Sequence, residues 1–390
     1  MRLTGYNSQL FPLYLMAIGT FAIGTDTFIV AGVLSDISDT FAVSIAQTGQ
    51  LISVFALAYM LFAPLTAWLL GNVNRKRILQ LALVLFIAGN LACACATNYL
   101  QVSVGRVLAA LGAACYTPQA AAAAVGLVEE KRRGLAISIV YGGMTLAIAL
   151  GIPFGTFLAK LIGWREVFLF IALLGAIALL GLSLALHTLA PPDKHSLKKR
   201  LAPLRQKAVL TTLLITFFAV CSEHIVYSYV SVLLINTRFG PEAILPLALL
   251  IFGVGAAIGN VASGVLTDAL GSKFVLLLSV TIQTLSLFLL TFYIASPWWV
   301  LALFLAWGIT GWMYLVPIQH RLLSLPNHVG ALAASLNSSV LYAGIAAGGM
   351  LGGLTLYALP AHYLPLFSLP LGATALLLTL IFFQKETHNE

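Results

Sequence analysis

Apolar runs of membrane-crossing length recur along the whole chain, separated by short polar turns. Twelve can be marked. They lie at 11–33, 48–70, 78–97, 99–126, 134–159 and 167–188 in the first half, and at 208–235, 243–266, 274–295, 297–318, 330–357 and 361–383 in the second. About 20 apolar residues in a helix cross the ~30 Å hydrocarbon core of a bilayer, and no strand-like alternation competes. The pattern predicts an all-α membrane protein with twelve transmembrane helices. Pro64, Pro118, Pro153, Pro246 and Pro317 fall inside these runs, which membrane helices tolerate where neighbours re-satisfy the freed carbonyls. The first run, Phe11–Val33, is too long for the apolar part of a cleavable signal and lacks a small-residue cleavage pattern.

Charge adds orientation to this picture. Only 8% of residues are charged, against about a quarter in soluble domains. The net charge of +8 is carried in the short connections, which points to membrane topology rather than a nucleic-acid groove. An even number of spans places both termini on one side. That side collects sixteen of the twenty Lys and Arg residues, from Arg2 and Arg75–Arg77 through Lys131–Arg133 to Lys273, Arg321 and Lys385. The other side holds three, Lys160, Arg165 and Arg238, and Arg106 lies within a span. The inside-positive bias therefore predicts cytoplasmic termini. The one long connection, 190–207, begins with Pro191-Pro192 and carries six of these basic residues. It divides the chain into six-span bundles at 1–189 and 208–390, and it is either a headgroup-binding face or a solvated tether. Cys93, Cys95, Cys115 and Cys221 all sit in apolar runs and read as small packing residues.

The halves repeat. Adding 197 to first-half positions carries Gly151, Pro153 and Gly155 onto Gly348, Met350 and Gly352, and Ala67–Gly71 onto Gly264–Asp268. The same offset carries Lys76 onto Lys273 and Asp26 onto Glu223. Internal repeats of this kind characterise secondary transporters, with the site near the membrane midplane. Of twelve acidic residues only Asp26 and Glu223 lie within spans. A charge there costs about 2.5–3.5 kcal/mol on insertion scales, so such a residue is either a proton or substrate group or a permanently protonated acid bonded to its neighbours.

Around these acids stand further candidates. Arg106, the one basic residue deep in a span, is available to pair with Asp26, to answer a helix dipole, or to snorkel toward the membrane edge. Tyr227 follows Glu223 by four residues and shares its helix face, while His224 points ~100° away and reads as a packing histidine. Tyr227 and Tyr229 either line a cavity or anchor an interface. Gln119, Trp307, Trp312, Tyr314, Gln319, Asn337 and Tyr342 would give a mostly apolar pocket a few polar anchors; singly each reads as packing. Gly151/Gly155 and Gly348/Gly352 have the small-xxx-small spacing that allows close helix approach, expected to serve sliding between the halves.

The chain resembles the major facilitator superfamily, specifically its twelve-span drug:proton antiporter branch and bacterial sugar-efflux or arabinose-efflux permeases. The likeness rests on Ala22–Phe28, Gln47–Ser53, Arg106–Gly112, and Gly143 with Gly151-Ile-Pro153-Phe-Gly155 followed by Gly163-Trp164-Arg165. It rests also on Gly264-Val-Leu-Thr-Asp268-Ala-Leu-Gly271-Ser-Lys273, the well-preserved copy of a loop motif whose first-half copy has Gly71 in place of the aspartate. In related permeases the first-span acid commonly falls where this chain has Thr27. The resemblance implies proton-coupled efflux of a small amphipathic molecule, such as a drug, sugar derivative or metabolite, by alternating access in a bacterial inner membrane. An importer or facilitator of the same fold is the alternative. Asp26, Glu223 and Arg106 would couple protons, Tyr227-Ser228-Tyr229 would contribute to binding, and Gly264, Asp268, Gly271 and Lys273 would serve conformational change. Lipids, protons and the solute would be the partners of a monomer, with no cofactor beyond the proton gradient and no nucleic acid. No nucleophile–base pair or Walker-type loop suggests an enzyme or ATP drive.

Overall fold

The computed structural model describes residues 3–187, 196–325 and 329–384. Arg2, Pro191, Pro192, Lys194 and Lys385 of the charge and connection analysis lie outside the described residues. Twelve helical spans are present and no strand occurs among the described residues. They are α1 (Leu10–Gly32), α2 (Ile45–Leu69), α3 (Arg75–Ala94), α4 (Tyr99–Gly126), α5 (Glu130–Ile162), α6 (Trp164–Ala185), α7 (Lys207–Tyr227), α8 (Ala243–Leu270), α9 (Ser272–Tyr293), α10 (Pro297–Leu323), α11 (Leu332–Ala358) and α12 (Ala361–Ile381).

Local chemistry sets the ends. Asn74 and Asn98 cap α3 and α4 by accepting from the backbone N–H of Lys76 and Gln101, as short polar side chains do at helix starts. Gly163, at φ +108, closes α5 in a conformation that side-chain-bearing residues avoid. Lys76 donates from Nζ to the Ser183 and Leu186 carbonyls at 2.8 and 2.6 Å. It thereby supplies the orphaned end of α6 with a cation, where the helix dipole favours one. The seventh span is shorter than the predicted 208–235: its helix ends at Tyr227, and Ser228-Tyr229 form a turn before short helical pieces reach Asn236.

The prolines act differently. Pro64, Pro118 and Pro246 remain inside continuous helices. Pro153 follows a single π turn, Ala147–Gly151, and Pro317 lies just past a break in α10 at Tyr314. Both departures follow from the missing proline N–H, which leaves the carbonyl four residues earlier without its donor.

By their contacts the described residues form two units, one of residues 1–29 with 61–197 and one of 30–60 with 198–390. Within the first, α3 packs on α4 and α6. The glycines of α5 meet α1: a Cβ at Gly151 would strike Thr25, and one at Gly155 would strike Ile29. In the second unit, Gly344, Gly348 and Gly352 step along α7, each one turn from the last, against Val220, His224 and the Ile225 carbonyl. These glycines were expected to serve contact between the halves. Gly151 and Gly155 instead approach side chains of α1, and Gly348 and Gly352 the Cys221 and Ile225 carbonyls of α7, each within its own unit, because a missing Cβ lets helices come close. Cys93, Cys115 and Cys221 are buried, whereas Cys95 is exposed at the end of α3, so the packing role expected of all four fails for Cys95. Trp298 and Trp299 are exposed at the start of α10, as aromatic side chains are at membrane interfaces.

Replacing Gly348 by Leu is expected to cost roughly 1–3 kcal/mol or more through overpacking. Gly264, with nothing within 4 Å of a Cβ, is expected to accept Leu with little change. Thermal unfolding of the two purified variants in detergent checks the contrast.

Candidate functional site

The two intramembrane acids occupy unlike surroundings. Asp26 sits on α1 and Arg106 on α4, and both side chains are fully buried. The arginine Nη1 donates to Asp26 Oδ1 at 2.5 Å. A glycine brings these two helices close: a Cβ at Gly19 of α1 would strike the Tyr116 ring of α4, while Gly105 and Gly112 seat α4 against Gly89, Cys93, Ala82 and Phe86 of α3. Arg106 thus turns inward to the acid and does not snorkel. Asn90 of α3, fully buried beside the pair, donates to the Phe86 carbonyl at 3.0 Å. Thr27, in the position where related permeases hold their acid, returns its hydroxyl to the Ile23 carbonyl of its own helix at 2.7 Å.

Glu223 lies on α7 and is buried. No Lys or Arg forms an ion pair with it among the described residues. Adding 197 to 106 and 90 gives Leu303 and Leu287, so the second half carries leucines at the places of Arg106 and Asn90. Aromatic groups surround the carboxyl group instead. Tyr227 stands one turn along α7, its ring 5.2 Å from Phe252 of α8 and 6.1 Å from Trp307 of α10. Trp307 also meets Phe252 and Phe304 edge-on at 5.1 and 5.3 Å. Tyr314 lies near Glu223, and at Gly311 a Cβ would stand 3.2 Å from Glu223 Oε1. His224 turns aside and bonds through Nδ1 to the Val220 carbonyl at 3.0 Å, the packing role its position suggested.

Of the expected binding residues, the structure brings Tyr227, Trp307 and Tyr314 to Glu223. Others are engaged elsewhere. Tyr229 is fully buried in a slot formed by Gly49, Gly352 and Gly353. Its hydroxyl donates to the Gly349 carbonyl at 2.8 Å and accepts from Gln50 Nε2 at 3.3 Å. Asn337 accepts from the Thr216 hydroxyl at 2.8 Å, tying α11 to α7. Tyr342 stacks on Tyr59 with centroids 3.6 Å apart. Gln119 is buried on α4 in the first unit, and Trp312 and Gln319 are half-buried on α10. Asp268 is exposed at the end of α8, and Gly271 takes φ +81 as its cap, with Lys273 following on α9.

Asn90, Phe252 and Gly311 are not singled out by the sequence pattern. Asn90 was findable as a lone carboxamide within the third apolar run. Phe252 and Gly311 carry no polar signal, and only helix packing brings Gly311 to the acid and Phe252 to Tyr227 and Trp307.

Comparison with known proteins gives one consistent answer. The family model described as Major Facilitator Superfamily matches residues 16–330 and 212–390. The chain is 30% identical over 347 residues to the uncharacterized MFS-type transporter YbcL of Bacillus subtilis, covering 89% of each chain. It is 30% identical over 349 residues to the inner membrane transport protein YdhP of Escherichia coli, covering 88% of each. A probable sugar efflux transporter of Mannheimia succiniciproducens is 26% identical over 377 residues, which is 97% of this chain and 95% of the relative. Among solved structures, a POT family transporter in complex with a thioalcohol-conjugated peptide superposes with a TM-score of 0.73 over 96% of both chains, at 14% identity. That likeness concerns the fold.

Removing one member of a buried ion pair strands the other, at a cost of about 3–5 kcal/mol, whereas removing both is far milder. Arg106→Leu is therefore expected to destabilise the protein strongly, and Asp26→Leu combined with Arg106→Leu to recover most of the loss. A double-mutant cycle of unfolding midpoints in detergent tests this; additive effects would contradict it.

Proposed function

The chain belongs to the major facilitator superfamily and is a multi-pass membrane transporter, and from that premise we propose that it exports a small amphipathic molecule in exchange for protons. Its place is the inner membrane of a bacterium, with both termini cytoplasmic. Two things support that placement: the inner membrane naming of the Escherichia coli relative and the sixteen-to-three division of basic residues between the two sides. Efflux of a sugar or sugar-like solute is favoured by the likeness to a probable sugar efflux transporter along nearly the whole chain.

The single observation that carries proton coupling is the contrast between the two acids. Asp26 has a cationic partner in Arg106, so its charge is compensated in this structure. Glu223 has no ion-pair partner among the described residues and is enclosed by Tyr227, Trp307 and Tyr314. An intramembrane acid without a fixed cationic partner is by default a candidate for proton exchange when water or a polar solute reaches it. Proton loss and solute entry then alternate with proton uptake and solute release. A membrane potential supplies about 2.3 kcal/mol per charge for each 100 mV, enough to drive accumulation on the far side. Asp26 with Arg106 serves as the fixed, charge-balanced element of the first unit.

Everted inner-membrane vesicles with an established pH gradient test the reading, using L-arabinose, isopropyl thiogalactoside and ethidium as probes. At least one probe is expected to release the gradient in wild type, with Glu223→Gln reducing that release to background. Undiminished release in Glu223→Gln would remove Glu223 from the coupling step.

A further inference from the structure

α10 consists of two helices, Pro297–Met313 and Leu315–Leu323, which meet at Tyr314. Pro317 offers no N–H, so the Met313 carbonyl has no helical donor. In a bilayer such a carbonyl must find another. It finds the hydroxyl of Ser263, a fully buried residue of α8, which donates to it at 2.5 Å.

The placement of this bond matters because of what lies on either side of it. Earlier in α10, the two backbones touch. A Cβ at Gly255 would meet the Leu305 carbonyl, one at Gly259 the Ile309 carbonyl, and one at Gly308 the Phe252 carbonyl. That length of α10 is held against α8 by contact with no side chain between. Ser263, one turn beyond Gly259, is the α8 group that reaches the break. The turn between, Gly311–Tyr314, is the one that faces the Glu223 carboxyl group.

We propose that Ser263 is a positioning residue for Glu223: by holding the Met313 carbonyl that Pro317 leaves open, its hydroxyl fixes the Gly311–Tyr314 turn against the carboxyl group. The inference rests on Glu223 being the proton-carrying acid. The titratable groups around Glu223 are Tyr227 and His224 on α7 and Tyr314 on α10. The other elements packed on α7 present uncharged groups there: Phe252 and Trp307 to Tyr227, Gly348 to His224, Gln283 to the Ala219 carbonyl, and the Ser368 carbonyl to Ser222. Among the described residues no Lys or Arg forms an ion pair with it, and Arg321 beyond the break donates to Thr212 of α7, so the carboxyl group titrates according to how closely that turn of α10 excludes water and where Tyr314 stands. A change in the turn therefore changes the titration of Glu223, and a change in Glu223 acts on the break.

The test is substrate-free. Infrared difference spectra of the purified full chain are recorded across a pH titration, and the carboxyl C=O band of Glu223 is identified by its loss in Glu223→Gln. Ser263→Ala is expected to move the midpoint of that band by about half a pH unit or more, and Ser263→Thr, which keeps the hydroxyl, to leave it near wild type. Pro317→Ala restores an N–H to the Met313 carbonyl, so Ser263→Ala is expected to have little further effect in that background. A midpoint unchanged in Ser263→Ala, with the band still lost in Glu223→Gln, overturns the positioning role and spares the proton role of Glu223. A band that survives Glu223→Gln overturns both. If Ser263→Ala fails to fold, Ser263→Cys, a weaker donor of similar size, must show the shift, and a wild-type midpoint there overturns the proposal.

Discussion

Close contact between helix backbones, permitted by small residues, is the constraint on which the rest depends. Lipid tails are as apolar as leucine, so helices in a bilayer gain little by merely covering apolar surface and must pack closely instead. The chain meets this with columns of small residues. Gly151 and Gly155 let α5 settle on α1, and Gly344, Gly348 and Gly352 let α11 settle on α7. α1 and α7 carry Asp26 and Glu223, so each acid stands on a helix placed by close packing against small residues. A second set, Gly89, Gly105 and Gly112 between α3 and α4, and Gly255, Gly259 and Gly308 between α8 and α10, places the residues that meet those acids.

On this repeated scaffold the chemistry diverges. The first copy supplies Arg106 and Asn90 around its acid, and the second supplies leucines in their places with Tyr227, Trp307 and Tyr314 close by. A buried ion pair is costly to break, which suits a group that keeps its charge. A carboxyl group among aromatic rings, with no ion-pair partner among the described residues, suits a role in proton exchange. Duplication followed by divergence at two positions is enough to separate the roles proposed for them.

The two departures from regular α-helix stand near the same acids. The π turn Ala147–Gly151 lies against Gly24 and Thr25, beside Asp26, and the α10 break at Tyr314 lies beside Glu223. Each follows from a proline that withholds a donor, and at the second Ser263 of α8 answers the carbonyl released. Irregular backbone is tolerated at membrane depth only where protein groups satisfy it, so these breaks are bound to their neighbours.

Length and hydropathy alone determined the twelve helices, their order and most of their limits, because a bilayer of fixed thickness demands apolar runs of fixed length. The constant offset of 197 residues likewise made the pairing of Asp26 with Glu223 and of Gly151 with Gly348 legible. The sequence leaves three roles open to Arg106, since a side chain of that length can pair inward or reach outward from the same position. It placed Tyr229, Asn337 and Tyr342 with the binding residues, whereas helix crossings engage them at Gly349, Thr216 and Tyr59. Nor did it show that the small-residue columns meet α1 and α7, or that Ser263 answers Met313. Those facts depend on which face of one helix meets another, and helical periodicity within a uniformly apolar run carries almost no record of that choice.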